Sequence, residues 1–237
     1  SFLPGIAAFD TIEQNHKLAL SADAKALALE GNPVHEDMMD ALSVVNMPVF
    51  SIQTVLDKHH QIYAATAGHI HDSFYAAIEK ANEVFAAKIP RREKVVVSVV
   101  RFPQEIDLYQ AQKGLDNGKL ALADGGVLIL AAKCRTGIGE ESFADLLASA
   151  SSPQDALDRI AQKYVVGYHK AAKMAEIGLW AEMWGVTDLP DDKLRSMFIR
   201  PFPTLQAAID TALEQQGPDA QVLFLMDGGL TVPLVEG

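Results

Sequence analysis

The sequence predicts an α/β fold: a mostly parallel, helix-covered sheet in the C-terminal domain, preceded by a second, mixed α/β domain. Three observations carry this. The run Val95-Val96-Val97-Ser98-Val99-Val100 and the apolar stretch Gly126–Ala132 suit strands buried on both faces. Helical patterns separate the strand candidates beyond residue 93, as strand–helix–strand units require. Finally, Pro90-Arg91-Arg92-Glu93 breaks the rhythm, so a boundary is expected within 78–93, dividing 1–80 from 81–237.

Taken in order, Asn15 and His16 fall near the end of a first helix. Ser21 is a plausible N-cap for a helix through Leu29, stopped by Gly31 and Pro33. Glu36 and Asp37 fit the first turn of a helix reaching about Val45, where acids favour the positive dipole end. Pro48–Leu56 and Ile62–Ala67 read as a hairpin around Asp57-Lys58-His59-His60. An amphipathic helix is expected over His71–Lys88, with Phe74, Ile78, Ala81 and Phe85 at helical spacing. Then come a strand at Lys94–Val100, a helix at Asp107–Leu120 and the strand Gly126–Ala132. Helices follow near Glu140–Ala148, Pro153–Gln162 and Gly167–Glu176. Trp180–Val186, Met197–Ile199 and Gln221–Met226 are weaker strands, with a helix at Leu205–Gln215.

The 237 residues carry a net charge of −11, which argues against a nucleic-acid or anionic-membrane surface. A single cysteine, Cys134, leaves no internal disulfide and points to a reducing, cytoplasmic compartment. No apolar run reaches the span of a bilayer, and no signal peptide is expected. The opening Ser1-Phe2-Leu3-Pro4-Gly5, without Met, reads as cut rather than started.

Seven histidines invite a metal reading. His59, His60, His69 and His71, with Asp72 as a further ligand or base, would make a hydrolytic zinc site. Their spacing matches no zinc signature, and solvated turn histidines are the simpler reading. Cys134 has no base partner nearby and reads as a small buried hydrophobe. Gly137-x-Gly139 stands where a dinucleotide loop belongs, but Glu140 and Glu141 oppose a pyrophosphate there. More informative is Asp107-Leu-Tyr-Gln110-Ala-Gln-Lys113. Asp107 and Gln110 form a capping box, and Gln110 and Lys113 are i, i+3 neighbours. Lys113, Gln110 and free N–H groups at the helix start would together suit a small carboxylate. A capped helix with a solvated lysine satisfies the same spacing.

Several segments, taken together, resemble the nickel-dependent lactate racemase family. They are Phe2-Leu-Pro-Gly-Ile6, Thr11-Ile-x-x-Asn15-His16, Gly31-Asn-Pro-Val-His-Glu-Asp-Met38, Ala67-Gly68, Asp107-Leu-Tyr-Gln-Ala-Gln-Lys113 and Gly125-Gly126…Cys134-Arg-x-Gly-x-Gly139. Their order and spacing, more than any single motif, make the match specific. The resemblance implies that residues 1–80 are the rear portion of a cofactor-bearing domain and 81–237 an α/β substrate-side domain. It implies a nickel-pincer nucleotide on a lysine that would precede Ser1, His16 as nickel ligand, and Gln110 and Lys113 as substrate-binding residues. The family's proton-transfer histidines and carboxylate-binding arginine lie upstream, so this chain alone is expected to be inactive. The implied reaction is racemisation or epimerisation at C2 of a small 2-hydroxy acid, through reversible hydride transfer to the cofactor. Arg101 stands where a glycine is expected, and His69 and Phe74 replace an Asp and a His. Those departures point to a larger or more acidic hydroxy acid, or to a relative without turnover. The zinc hydrolase and a non-catalytic hydroxy-acid-binding protein are the competing readings. Oligomeric state is left open.

Overall fold

The structure, a computed structural model, describes residues 2–236. α1 (Phe9–Leu18) leads to α2 (Pro33–Asp40), where Pro33 opens the helix and the Asn32 side chain accepts from the Val34 N–H. Buried Asn15 ties the two helices: its Nδ2 donates to Val34 O at 3.1 Å and to Asp37 Oδ2 at 2.9 Å. The helix expected over Ser21–Leu29 does not form; the segment is a succession of turns. Most of Ala22–Leu27 is exposed, so it has no apolar face to bury, and short isolated helices are marginal in water.

β1 (Phe50–Leu56) and β2 (Ile62–His69) form the expected antiparallel hairpin. The Asp57 carboxylate shapes its turn by accepting from the N–H groups of His59 and Gln61. α3 (Ile70–Phe85) covers one face of the hairpin. The Oγ atoms of Ser51 and Ser73 are hydrogen-bonded at 2.6 Å, and Thr66 Oγ1 donates to Ser73 O at 2.6 Å. The helix stops at Phe85 instead of Lys88, because β3 (Ala86–Ile89) takes a strand partner from the far end of the chain.

Then the α/β alternation begins. β4 (Glu93–Val99), α4 (Leu108–Gly118), β5 (Leu122–Ala131), α5 (Glu141–Ser149), α6 (Pro153–Gln162) and α7 (Tyr168–Gly178) come first. β6 (Glu182–Val186), α8 (Asp191–Ser196), β7 (Ile199–Pro201), α9 (Leu205–Gln216), β8 (Val222–Leu225) and β9 (Val232–Val235) follow. Five strands form a parallel sheet in the order β7-β6-β5-β4-β8, while β9 pairs with β3. Val96, Leu128 and Leu130 belong to the core shared with α4, α5 and α7. Val95, Val97, Val127, Ile129 and Trp184 face the other way, against Ala208 and Ala212 of α9. Both faces are therefore hidden, which is why the strands read as continuous apolar runs.

α4 lies unusually close to the sheet. A Cβ at Gly114 would stand 2.4 Å from Val100 Cγ2, and one at Gly118 would stand 2.6 Å from Leu128 Cδ1. Ser98 Oγ also donates to Gly114 O at 2.7 Å. This seating fixes the start of α4 just beyond the carboxyl end of β4. The strand order reverses between β4 and β8, and ligands of open α/β sheets bind beyond strand carboxyl ends near such a point. Among the described residues no helix is long and apolar enough to cross a membrane.

Candidate active site

The first turn of α4 is more fully satisfied than its sequence implies. Asp107 is the N-cap, its Oδ1 accepting from Gln110 N at 2.7 Å, while its carbonyl accepts from Ala111 N. Gly137 O accepts from Leu108 N at 3.1 Å and Ile138 O from Tyr109 N at 2.9 Å. The expected free N–H groups are therefore all taken, and the backbone offers a carboxylate nothing. The Gly137-x-Gly139 loop supplies those carbonyls. Gly139, at φ +87°, also makes room for the cap: a Cβ there would come within 2.6 Å of Asp107 Cγ. The two glycines serve α4, not a pyrophosphate.

What α4 does present is side chains. Gln110 is half-buried and Lys113 exposed, and neither side chain has a hydrogen-bond or ion-pair partner among the described residues. Further along, Asp116 lies 2.6 Å from Lys119 and 2.8 Å from Lys173. Burial alone would raise its carboxyl, but the two lysines outweigh burial and hold it below the usual range.

The start of α7 faces this surface. Gly167, with φ +99°, turns the chain into the helix and delivers Tyr168, His169 and Lys170 in the first turn. His169 is buried, its Nδ1 3.1 Å from Tyr164 Oη. Its ring meets that of His16 edge-on, centroids 5.3 Å apart. Burial, with His16 next in weight, pushes the His169 imidazole down to about 4, so it is neutral near pH 7. Lys170 donates to the Tyr109 carbonyl and lies 3.8 Å from the centre of the Tyr109 ring. Burial first, then Lys113, pushes its ammonium down to about 8. Burial likewise raises the phenols of Tyr109 and Tyr164.

His16 tests whether a metal-bearing group fits here. Its Nδ1 lies 2.8 Å from Ile12 O; a carbonyl only accepts, so Nδ1 is the donor, and in the neutral ring the lone pair is on Nε2. Fixing one ring nitrogen by a backbone carbonyl is how proteins orient metal-binding imidazoles. Among the described residues no group of three or more His, Cys, Asp or Glu could hold a metal ion unaided. The His16 ring is thus chemically suited to a single metal bond through Nε2, the role expected of it.

The zinc cluster is not assembled. His69 and His71 stack at 5.4 Å, but His59 and His60 lie in the turn at the opposite end of β2. Eight residues of strand separate the pairs by roughly 23 Å. Phe74, where a histidine was expected, stacks on His35 at 5.5 Å. Cys134 is buried and its thiol is pushed up to about 12, mainly by burial and then by Asp107 and Glu105, so it is no nucleophile.

Sequence reasoning singled out His16, Gln110 and Lys113 and passed over the roles that packing gives Tyr164, His169 and Lys170. The available signal was Gly167-Tyr-His-Lys170, a glycine turn placing a histidine and a lysine in one helix's first turn.

Fold and geometry together define an α/β protein with polar and basic side chains gathered where two helices start beside one sheet. Comparison then narrows the class. Residues 87–232 match the family described as lactate racemase C-terminal domain. The lactate racemase of Thermoanaerobacterium thermosaccharolyticum is 30% identical over 235 residues, covering 96% of this chain and 55% of that protein. The lactate racemase of Lactiplantibacillus plantarum is 28% identical over the same shares. The solved lactate racemase apoprotein from the first organism superposes with a TM-score of 0.92, covering 98% of this chain and 57% of that one. A Thermotoga maritima protein at 16% identity and TM-score 0.61 shares the fold. The chain belongs to the lactate racemase family, and it spans about half the length of the relatives it matches.

Proposed function

We propose that this chain forms the rear portion of a 2-hydroxy acid racemase or epimerase, with residues 1–80 completing a cofactor-bearing domain and 81–237 forming the substrate side. The observation that carries this reading is the packing of His16 edge-on to His169 at the start of α7, whose next residue, Lys170, lies against Tyr109 of the helix that presents the unpartnered Gln110 and Lys113. A nickel-pincer nucleotide held through His16 would supply a reversible hydride acceptor for C2 of the substrate. Lys113 would bind the substrate carboxylate as a point charge, and the Gln110 amide would add directional hydrogen bonds. Together they hold C2 in one orientation toward the His16 side of the site, which is where orientation contributes most to rate. Neutral His169, hydrogen-bonded to Tyr164, packs edge-on to His16 without adding a positive charge beside it.

The reading assigns the acid–base steps to groups outside these residues, so the chain alone should not racemise. The test is the longer protein produced in cells that make the cofactor. It should carry nickel and added mass, and racemise a 2-hydroxy acid by chiral chromatography. His16→Ala should lose nickel, and Lys113→Ala should raise KM for the acid while keeping the metal. Bare apoprotein with no added mass, from cells proven to make the cofactor, would sink this reading.

A further inference from the structure

α4 and α7 bring Lys113 and Lys170 near each other. Of the two acids that act on Lys170, Asp107 caps α4 through the Gln110 N–H, and Asp116 is bound by Lys119 and Lys173. Lys113 and Lys170 have no ion-pair partner among the described residues. Their proximity follows from the helix. Lys170 Nζ is bonded to the carbonyl of Tyr109 and lies against its ring, and Tyr109 and Lys113 are i, i+4 neighbours on one face of α4. The adjacent His169 lies edge-on to His16, so Lys170 directly follows the residue that meets the proposed metal ligand.

A half-buried ammonium beside another ammonium is unfavourable unless an anion joins them. Burial first and Lys113 second act against the charge on Lys170, and together they outweigh the opposing pull of Asp107 and Asp116. The Tyr109 carbonyl and ring hold that lysine in place, so little side-chain freedom is lost on binding. One carboxylate leaves one of the two charges uncompensated; two negative charges compensate both.

We propose that Lys170 is a specificity-determining residue which, with Lys113, forms a two-cation cradle between α4 and α7 for a 2-hydroxy dicarboxylate. The proposal rests on the racemase reading for the word substrate, but the cradle itself is a binding claim that needs no cofactor. A phosphate would satisfy the same two cations, so the test must separate the two sources.

The experiment is calorimetric titration of this chain with malate, lactate and inorganic phosphate, for wild type, Lys170→Met, Lys170→Gln and Lys170→Arg. Malate should bind about tenfold more tightly than lactate, the worth of one further charge-assisted contact. Lys170→Met and Lys170→Gln should bring malate down to the lactate level, and Lys170→Arg should retain the preference. Thermal midpoints of the same samples identify any variant lost to misfolding, and the remaining neutral variant then decides. An unchanged malate-to-lactate ratio in a folded neutral variant overturns the proposal. So does phosphate binding more tightly than malate, or no anion binding to wild type. A malate preference that depends on Lys170, with no racemisation by the cofactor-loaded longer protein, supports the cradle and counts against the racemase reading alone.

Discussion

Residues 2–85 and residues 86–235 belong to one chain but are held together differently. Beyond residue 107 lie all the largest fully buried side chains, among them Trp184, Phe143, Leu108 and Leu128. Before residue 86 the ties are polar instead: Asn15 to Val34 and Asp37, Ser51 to Ser73, Thr66 to the Ser73 carbonyl. There Ile6 is 79% and Phe50 74% exposed. The cause is topological. A parallel sheet covered on both faces hides every side chain along a strand, whereas a hairpin covered by one helix hides alternate ones. In β1 it is Ser51, Gln53 and Val55 that lie inward, while Phe50, Ile52 and Leu56 face out. The candidate site draws on both regions, His16 from the first and Gln110, Lys113, His169 and Lys170 from the second. Its geometry therefore depends on a stiff support and on a lightly tied one.

The difference can be broken most forcefully at the sheet centre. Leu128 is fully buried between β4 and β6. Leu128→Ala should cost about 2–5 kcal/mol, the transfer loss plus a cavity that a packed sheet cannot close. Urea unfolding with an unchanged m-value checks it. A loss below about 1 kcal/mol would mean that this core is as loosely held as the hairpin.

A smaller loss is expected where the loop meets α4. Gly139→Ala places a Cβ at positive φ and within 2.6 Å of the Asp107 carboxylate carbon. About 1–3 kcal/mol should be lost, as for overpacked sites elsewhere. Asp107→Ala, which removes only the cap on Gln110 N, should cost about 1 kcal/mol. Thermal melts of the two variants rank clash against cap. The reverse order would show that the loop, not the cap, is the part that yields.

How much of this was legible before folding follows the same division. β4 and β5 announced themselves because burial on both faces leaves an uninterrupted apolar run. Asp107 is a cap readable from residue type alone, and it accepts the expected backbone N–H. β3 was hidden because Ala86-Ala87-Lys88 extends a helical pattern. Only its pairing with Val232–Val235, far along the chain, makes it a strand. Of the candidate site, Gln110 and Lys113 drew attention through their helix-start spacing, and His16 only through the family resemblance. His169 and Lys170 did not, since their roles come from packing α7 against α1 and α4, which no local spacing encodes. The free N–H groups expected at α4 failed for a related reason: the carbonyls that occupy them come from residues 137 and 138.

The smallest effect expected is at Phe50, and it tests the lightly tied region directly. Phe50 lies opposite His69 in the hairpin register, on the face that α3 does not cover. Phe50→Thr keeps a strand-forming residue while removing an aromatic ring already in water. Stability of this chain should stay within about 0.5 kcal/mol of wild type, as for surface positions generally. The measurement is a paired urea titration of Phe50→Thr and Leu128→Ala under one set of conditions. A loss above about 1 kcal/mol at Phe50 would show that something covers this face in solution, since an exposed ring has little burial to lose. Sedimentation of the same samples would then tell whether a second copy supplies that cover. With no such loss, the contrast between the two regions stands as a property of the fold itself.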